Sequence, residues 1–347
     1  MRREQWEVFK AAAKRRWAGP PPVALIVDSP WIPGHAGLGH LDYYVDPEAW
    51  FQANLGLLRE FPEVTFLPSW WVEYGMAAEP SVVGSRITFW PDQPPAVTPA
   101  IARPEDVERL AKVNPLTDGL MALALHRYRK AAPRIREAGY IVPMVAARGP
   151  VCTAAFLRGV TEFMTDLVDH PESAQKLLEF TTGLVIDWLR AQAEAAGETV
   201  EGILVLDDIV GFLSRPRYLD FADPYLKRIT AAFPPEWVKV YHNDANIRPF
   251  AAELAGTGFD VLNWSHHFDV ADLAAKTGGK LCLMGNVPPL DVGVRGTQQQ
   301  VKAAALEVLR KTGGRGLILS VGGGASTGMP SENIRALVEA AREFGAG

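Results

Sequence analysis

Beyond residue 200 the chain alternates short runs that are apolar at nearly every position with longer stretches in which apolar residues recur every three or four places. The first pattern suits a strand buried on both faces and the second a helix with one apolar side, so together they predict repeated βα units. Strands are expected at residues 202 to 209 (GILVLDDI), 238 to 244 (VKVYHND), 260 to 266 (DVLNWSH), 280 to 287 (KLCLMGNV) and 315 to 323 (RGLILSVGG), with a helix from Arg215 to Phe233. The amino-terminal half is less regular, but residues 22 to 29 (PVALIVDS), 64 to 70 (VTFLPSW) and 140 to 149 (YIVPMVAARG) supply three more. Helical periods such as Pro171 to Ala196 and Thr297 to Lys311 separate the strands, and no Gly-rich dinucleotide turn follows any of them. The pattern therefore predicts a closed parallel (β/α)8, or TIM, barrel forming a single domain over residues 1 to 347, rather than a doubly wound sheet. Between the second and third strands, RITFWPDQPP (86 to 95) is strand-like and precedes a helix start at Arg103. A hairpin or lid inserted over the barrel mouth is expected there.

Composition narrows the setting. The chain has 347 residues, 48% of them hydrophobic, so it can bury a large core. Its 35 Lys and Arg against 40 Asp and Glu give a net charge of -5 with no long run of one sign, which argues against nucleic acid or an anionic membrane as partner. No apolar stretch approaches the ~20 residues of a bilayer-spanning helix. Cys152 and Cys282 are too few for a disulfide framework, and the opening segment MRREQWEVFKAAAKRRWAG is an amphipathic helix rather than a secretory signal. A cytoplasmic location is expected.

Chemistry in such a barrel stands at the carboxyl ends of the strands. Asp28 ends the first, Arg148 the third, Asp207 and Asp208 the fourth, His242 to Asp244 the fifth, Asn263 to His267 the sixth and Asn286 the seventh, while the eighth runs into Gly322, Gly323 and Gly324. His242 and Asp244 share a strand face and can grip one ion or one substrate proton, or else Asp244 caps a helix beside a satisfied pocket histidine. Of Asp207 and Asp208, at least one must face the mouth; the alternative for the pair is capping the loop helix that follows. Only one of His266 and His267 can face inward. The three glycines bring backbone N–H groups close to a bound anion, or form a plain turn. Cys152 starts a helix, where a thiolate is favoured, but its neighbours suggest packing.

In order along the chain, AARGPVCTAAFL, LVLDDIVGFLSRPRYLDFADPYLKRI, MGNVPPLDVGVRGTQQQV and LILSVGGGASTGMPSENIRALVEAAREFG resemble segments of the uroporphyrinogen decarboxylase superfamily. That resemblance implies an enzyme acting on a tetrapyrrole-linked substrate. Decarboxylases of the family carry an arginine-rich segment after the first strand that clamps substrate carboxylates, whereas here no arginine lies between Pro20 and Gly56. The corrinoid-linked methyltransferase branch carries zinc on a His-x-Cys pair and a further Cys at the eighth strand; here those places hold His242-Asn243-Asp244 and glycines. The thiolates are replaced by a harder, weaker set offering two ligands at most, unless Asp28, Asp207 or Asp208 reaches across the mouth. Cys282, ~13 Å of strand below Asn286, is too far down to replace them.

Together these features lean toward methyl transfer between a methyl-corrinoid and a small acceptor. Asp207, Asp208, His242 and Asp244 are the expected catalytic groups. Asp28, Arg148, His266, Asn286 and Gly322 to Gly324 are the expected substrate contacts. The corrinoid, carried on a partner protein, is the expected cosubstrate, and zinc enters with weak support only. A uroporphyrinogen-type decarboxylase and a non-catalytic tetrapyrrole-binding protein are the alternatives.

Overall fold

A computed structural model describes residues 1–346. Ten strands run in chain order: β1 (Val23–Ile26), β2 (Val64–Leu67), β3 (Arg86–Thr88), β4 (Ala96–Thr98), β5 (Val145–Arg148), β6 (Gly202–Leu206), β7 (Val238–Asn243), β8 (Val261–Trp264), β9 (Cys282–Val287) and β10 (Leu317–Val321). Eight of them form one curled parallel sheet in the order β2-β1-β10-β9-β8-β7-β6-β5. The hydrogen-bonded ladder thus has two ends, β2 and β5. The remaining two, β3 and β4, pair antiparallel between β2 and β5, with Ile87 opposite Val97. Among the described residues, no helix is long and apolar enough to cross a membrane.

Several elements differ from the sequence pattern, each for a local reason. β6 stops at Leu206 because Asp208–Phe212 turns into a 3-10 helix. The helix expected from Arg215 to Phe233 is two, Arg215–Phe221 and Asp223–Ala231, broken at Ala222 where Pro224 occupies the first turn of the second. Residues 141 to 144 lie outside β5.

Strand alternation divides the core in two. Ile26, Leu67, Met144, Ala146, Leu204, Leu206, Val238, Val240, Val261, Cys282, Met284 and Ile318 pack together on the concave side of the sheet. Their neighbours Leu25, Phe66, Val145, Val205, Tyr241, Leu262 and Leu319 face outward into the helices. The first helix, Arg3–Ala13, sends Trp6 and Phe9 into the concave cluster. Charges hold it at the amino-terminal ends of the strands. Arg3 and Lys10 both pair with Glu201, just before β6, and Lys14 pairs with Asp260, just before β8, at 2.9 Å. The helix plugs that end and leaves the carboxyl ends of the strands for the site.

Candidate active site at the carboxyl ends of the strands

The same alternation decides which polar groups meet. Leu204 and Leu206 point to the concave side, so Asp208 continues that side and Asp207 joins Ile203 and Val205 on the outer one. Fully buried Asp207 accepts from the backbone N–H of Cys152 at 2.6 Å and of Val151 at 3.4 Å. It therefore satisfies the amino end of the helix Pro150–Arg158 from behind the sheet. Burial pushes its carboxyl up to about 7, against the pull of those donors. A Cβ at Gly149 would lie 2.3 Å from this carboxylate, which explains the glycine. The Cys152 thiol packed here is buried, and burial pushes it well above the usual thiol range.

On the concave side, His242 and Asp244 of the β7 end meet Asp208 of the β6 end. One ligand atom from each of the three lies within 4.8 Å of the other two. Asp208 Oδ1 accepts from the Asp244 N–H at 3.1 Å and sits 3.4 Å from His242 Nε2. The tautomer of His242 follows from its other neighbour. Asn263 Nδ2 donates to the Met284 carbonyl at 2.8 Å and the Val321 carbonyl at 3.3 Å, so its Oδ1 must face His242 Nδ1, 2.6 Å away. Nδ1 then carries the proton, and the Nε2 lone pair is left facing the mouth. Partial desolvation and the adjacent Asp208 raise the Asp244 carboxyl.

Across the mouth stands a second group that the sequence pattern did not reveal in full. Arg148, at the β5 end, lies beside buried Glu73, with Nη2 3.8 Å from Oε2, and stacks 5.2 Å from the Trp71 ring. Its backbone N–H donates to Glu79 Oε1 at 2.9 Å. Glu73 Oε1 accepts from the Ser29 N–H, and Ser29 Oγ accepts from the Tyr44 hydroxyl at 2.6 Å. Asp28 joins this group: burial raises its carboxyl, while Arg148 and His242 pull it back. Burial likewise raises Glu79, and pushes Glu73 up to about 8.

The other expected contacts are placed as follows. Asn286 is buried and donates to the Phe268 carbonyl at 3.0 Å, which ties β9 to the loop after β8. His266 is half-buried with its ring 4.0 Å from that of exposed His267, and burial lowers its pKa. Gly322 and Gly323 allow close approach: a Cβ at Gly322 would meet the His266 backbone N at 2.5 Å, and one at Gly323 the Asp244 Cβ at 2.9 Å. Gly323 also has φ +95°, which favours glycine. A Cβ at Gly324 would meet nothing nearer than the Ile26 carbonyl, at 3.7 Å, so no close approach requires a glycine there.

Of the three aspartates that could have added to the expected pair of metal ligands, Asp208 is the one that reaches His242 and Asp244, so three groups able to hold an ion converge there. Glu73 and Glu79 were missed, although both are acidic residues within an otherwise apolar, aromatic run, WWVEYGMAAEP. Burial of charge in such a run signals a partner or a site.

A family model described as uroporphyrinogen decarboxylase (URO-D) matches residues 33–344. The uroporphyrinogen decarboxylase of Chlorobaculum parvum is 24% identical over 259 residues, 71% of each chain. That of Danio rerio is 23% identical over 322 residues, 88% of this chain and 83% of its own. A solved methyltransferase from Methanosarcina mazei superposes with a TM-score of 0.84 over 98% of both chains at 22% identity.

Proposed function

Since the chain belongs to the uroporphyrinogen decarboxylase family, we propose that it is a corrinoid-linked methyltransferase, moving a methyl group between a methyl-corrinoid and a small acceptor. The observation that carries this reading is the state of Arg148. It is the only arginine buried among the described residues, and Glu73, Glu79, Asp28 and Asp208 all lie within reach of its charge. With this guanidinium already committed to acidic neighbours, no other buried arginine among the described residues is left to clamp the carboxylates of uroporphyrinogen.

Methyl transfer asks for something this mouth has. A methyl group that moves as a cation equivalent requires its acceptor to give up a proton, so a base must face the reacting atom. His242 Nε2 is open, its ring is fixed through Asn263, and the imidazolium formed on proton uptake is stabilised by Asp208 at 3.4 Å. Asp208, His242 and Asp244 are also the residues that would hold a divalent cation, which supplies a lowered acceptor pKa when bound. One imidazole and two carboxylates form a harder set than a thiolate site, suited to zinc and equally to manganese or iron. The corrinoid is presented by a carrier protein in the cytoplasm, with the sheet closed as a barrel and the β3–β4 hairpin serving as a lid.

The test is to incubate the protein with methylcobalamin and a panel of thiols and tetrahydrofolate, with and without zinc, and follow the cobalamin spectrum. Demethylation with at least one acceptor is expected. A silent spectrum with carbon dioxide release from uroporphyrinogen overturns the reading in favour of decarboxylation. Tight tetrapyrrole binding with no turnover of either kind overturns it in favour of a carrier.

A further inference from the structure

A second cavity, lined by none of the acids of the mouth, lies apart from the residues around Arg148. It encloses about 780 Å³ between the helix Pro47–Glu60, the helix Gly119–Glu137 and the segment around Phe89 that follows β3. That volume is within the range of small-molecule sites, typically ~300–1,000 Å³. Trp50, Phe51, Tyr44 and Tyr74, all buried, make its inner wall, so the cavity is preformed rather than opened by surface side chains. Its rim is unusual in the opposite sense. Val45 and Leu123 are 62% and 58% exposed, large apolar groups left in water.

Charge gives the occupant its sign. No Asp or Glu lines the cavity, whereas His126, Arg127, Lys130 and Arg134 do. Arg134 is engaged by Glu48 at 2.8 Å and lies over the Phe51 ring. Arg127 instead donates to the backbone carbonyls of Tyr43 and Tyr44, and Lys130 pairs with no carboxylate among the described residues. Two cations at the lip of an apolar chamber are thus left without a counter-charge, the reverse of the acid-rich mouth. We infer that this cavity binds a small organic anion with an aromatic or alkyl body, the body against Trp50, Phe51 and Leu123 and the anionic group at Lys130 and Arg127. The inference does not rest on methyl transfer. Tyr44 nevertheless joins the two regions, since it lines the cavity and donates to Ser29, whose N–H holds Glu73.

Fluorescence titration of the full chain with 1-anilinonaphthalene-8-sulfonate tests this directly. Saturable binding at one site is expected, displaced by decanoate and not by decyltrimethylammonium, each below its micellar concentration. Lys130→Glu and Leu123→Glu change exposed side chains and leave the fold intact, which unchanged circular dichroism would verify. Each should weaken the probe by ~tenfold or more, Lys130→Glu by reversing a charge at the lip and Leu123→Glu by setting a negative charge against the probe's apolar body. Absence of saturable binding, equal displacement by both surfactants, or unaltered affinity in both variants overturns the inference.

Discussion

At the scale of single residues, Asp207 and Asp208 are covalent neighbours with opposite tasks, because one step along a strand reverses the face a side chain occupies. Asp207 holds the Cys152 and Val151 N–H groups from the helix side, and Asp208 holds Asp244 and His242 from the concave side. Asp207→Ala orphans buried donors and should cost ~1–3 kcal/mol in urea denaturation, with turnover in the demethylation assay changed only a few-fold. Asp208→Ala should do the reverse, with stability within ~0.5 kcal/mol of the parent and a rate loss of ~10²- to 10⁴-fold. Equal effects at the two positions would mean that the faces are not separated as described. The metal proposal has its own check at this scale. After dialysis against a mild chelator and reloading with zinc, elemental analysis should find about one ion per chain, lost in His242→Ala, since three donors converge there. A parent chain that retains none would mean that His242 acts as a base, its Nε2 free of metal. The period-two pattern of β7 made His242 and Asp244 legible as partners in the sequence. The apolar run before Asp207 and Asp208 showed that at least one of them must face the mouth, but both alternating sets of β6 are apolar and buried, so the sequence could not say which set faces the concave side. Glu73 was not legible as a site residue, because it arrives by a loop after β2 in which Ser69 and Trp70 adopt positive φ, and no repeat places it.

At the scale of elements, the strands of the carboxyl-terminal half were readable because each is apolar on both faces, as a sheet covered inside and outside demands. The amino-terminal helix was readable as amphipathic, but not its docking place. Its apolar face covers the concave cluster, and its Arg3, Lys10 and Lys14 reach Glu201 and Asp260, acids that stand just before strands far away in sequence. Such long-range pairing leaves no local signature. Trp6 is central, being fully buried with its Nε1 3.3 Å from Glu201 Oε2. Trp6→Ala should therefore cost ~3–5 kcal/mol, the range for deleting a buried aromatic side chain. A cost under ~1 kcal/mol by urea denaturation would show that the helix does not close the amino-terminal end of the sheet.

At the scale of the whole molecule, the acid ring should set how stability varies with pH. Between about pH 5 and 8 the net charge passes through zero near the sequence pI of 5.9 and is -5 at pH 7, small for 347 residues, so buried local groups set much of the pH dependence. Glu73 has an ordinary value of 4.5 when unfolded and about 8 when folded, because burial disfavours its charged form. The folded state then binds more protons than the unfolded state throughout that window. Stability from this group is fully present below pH 4.5, falls as pH rises, and is gone above about 8. Asp207, pushed up to about 7, and Asp28 and Glu79, also raised, act in the same direction. Glu60 and Glu201, lowered by their partners, act in the opposite direction below about 4.5. Within the window the buried amino terminus of Met1, lowered by desolvation to about 4, and His40 and His266, also lowered by burial, oppose the fall, so the Glu73 contribution is read as a difference between two proteins. Each tenfold difference in proton affinity between the folded and unfolded states is worth ~1.4 kcal/mol, so Glu73 alone contributes a few kcal/mol across the window. Urea midpoints of the parent chain and of Glu73→Gln are therefore compared at pH 5, 6.5 and 8. Glu73→Gln keeps the shape and an oxygen to accept from Ser29 while removing the titration, so its midpoint relative to the parent's should rise with pH, with the largest difference between the two proteins' slopes near neutral pH. Parallel slopes for the two proteins would show that Glu73 is ionised in the folded state, matched by Arg148 at 3.8 Å, and that the proton of the mouth resides on another carboxyl.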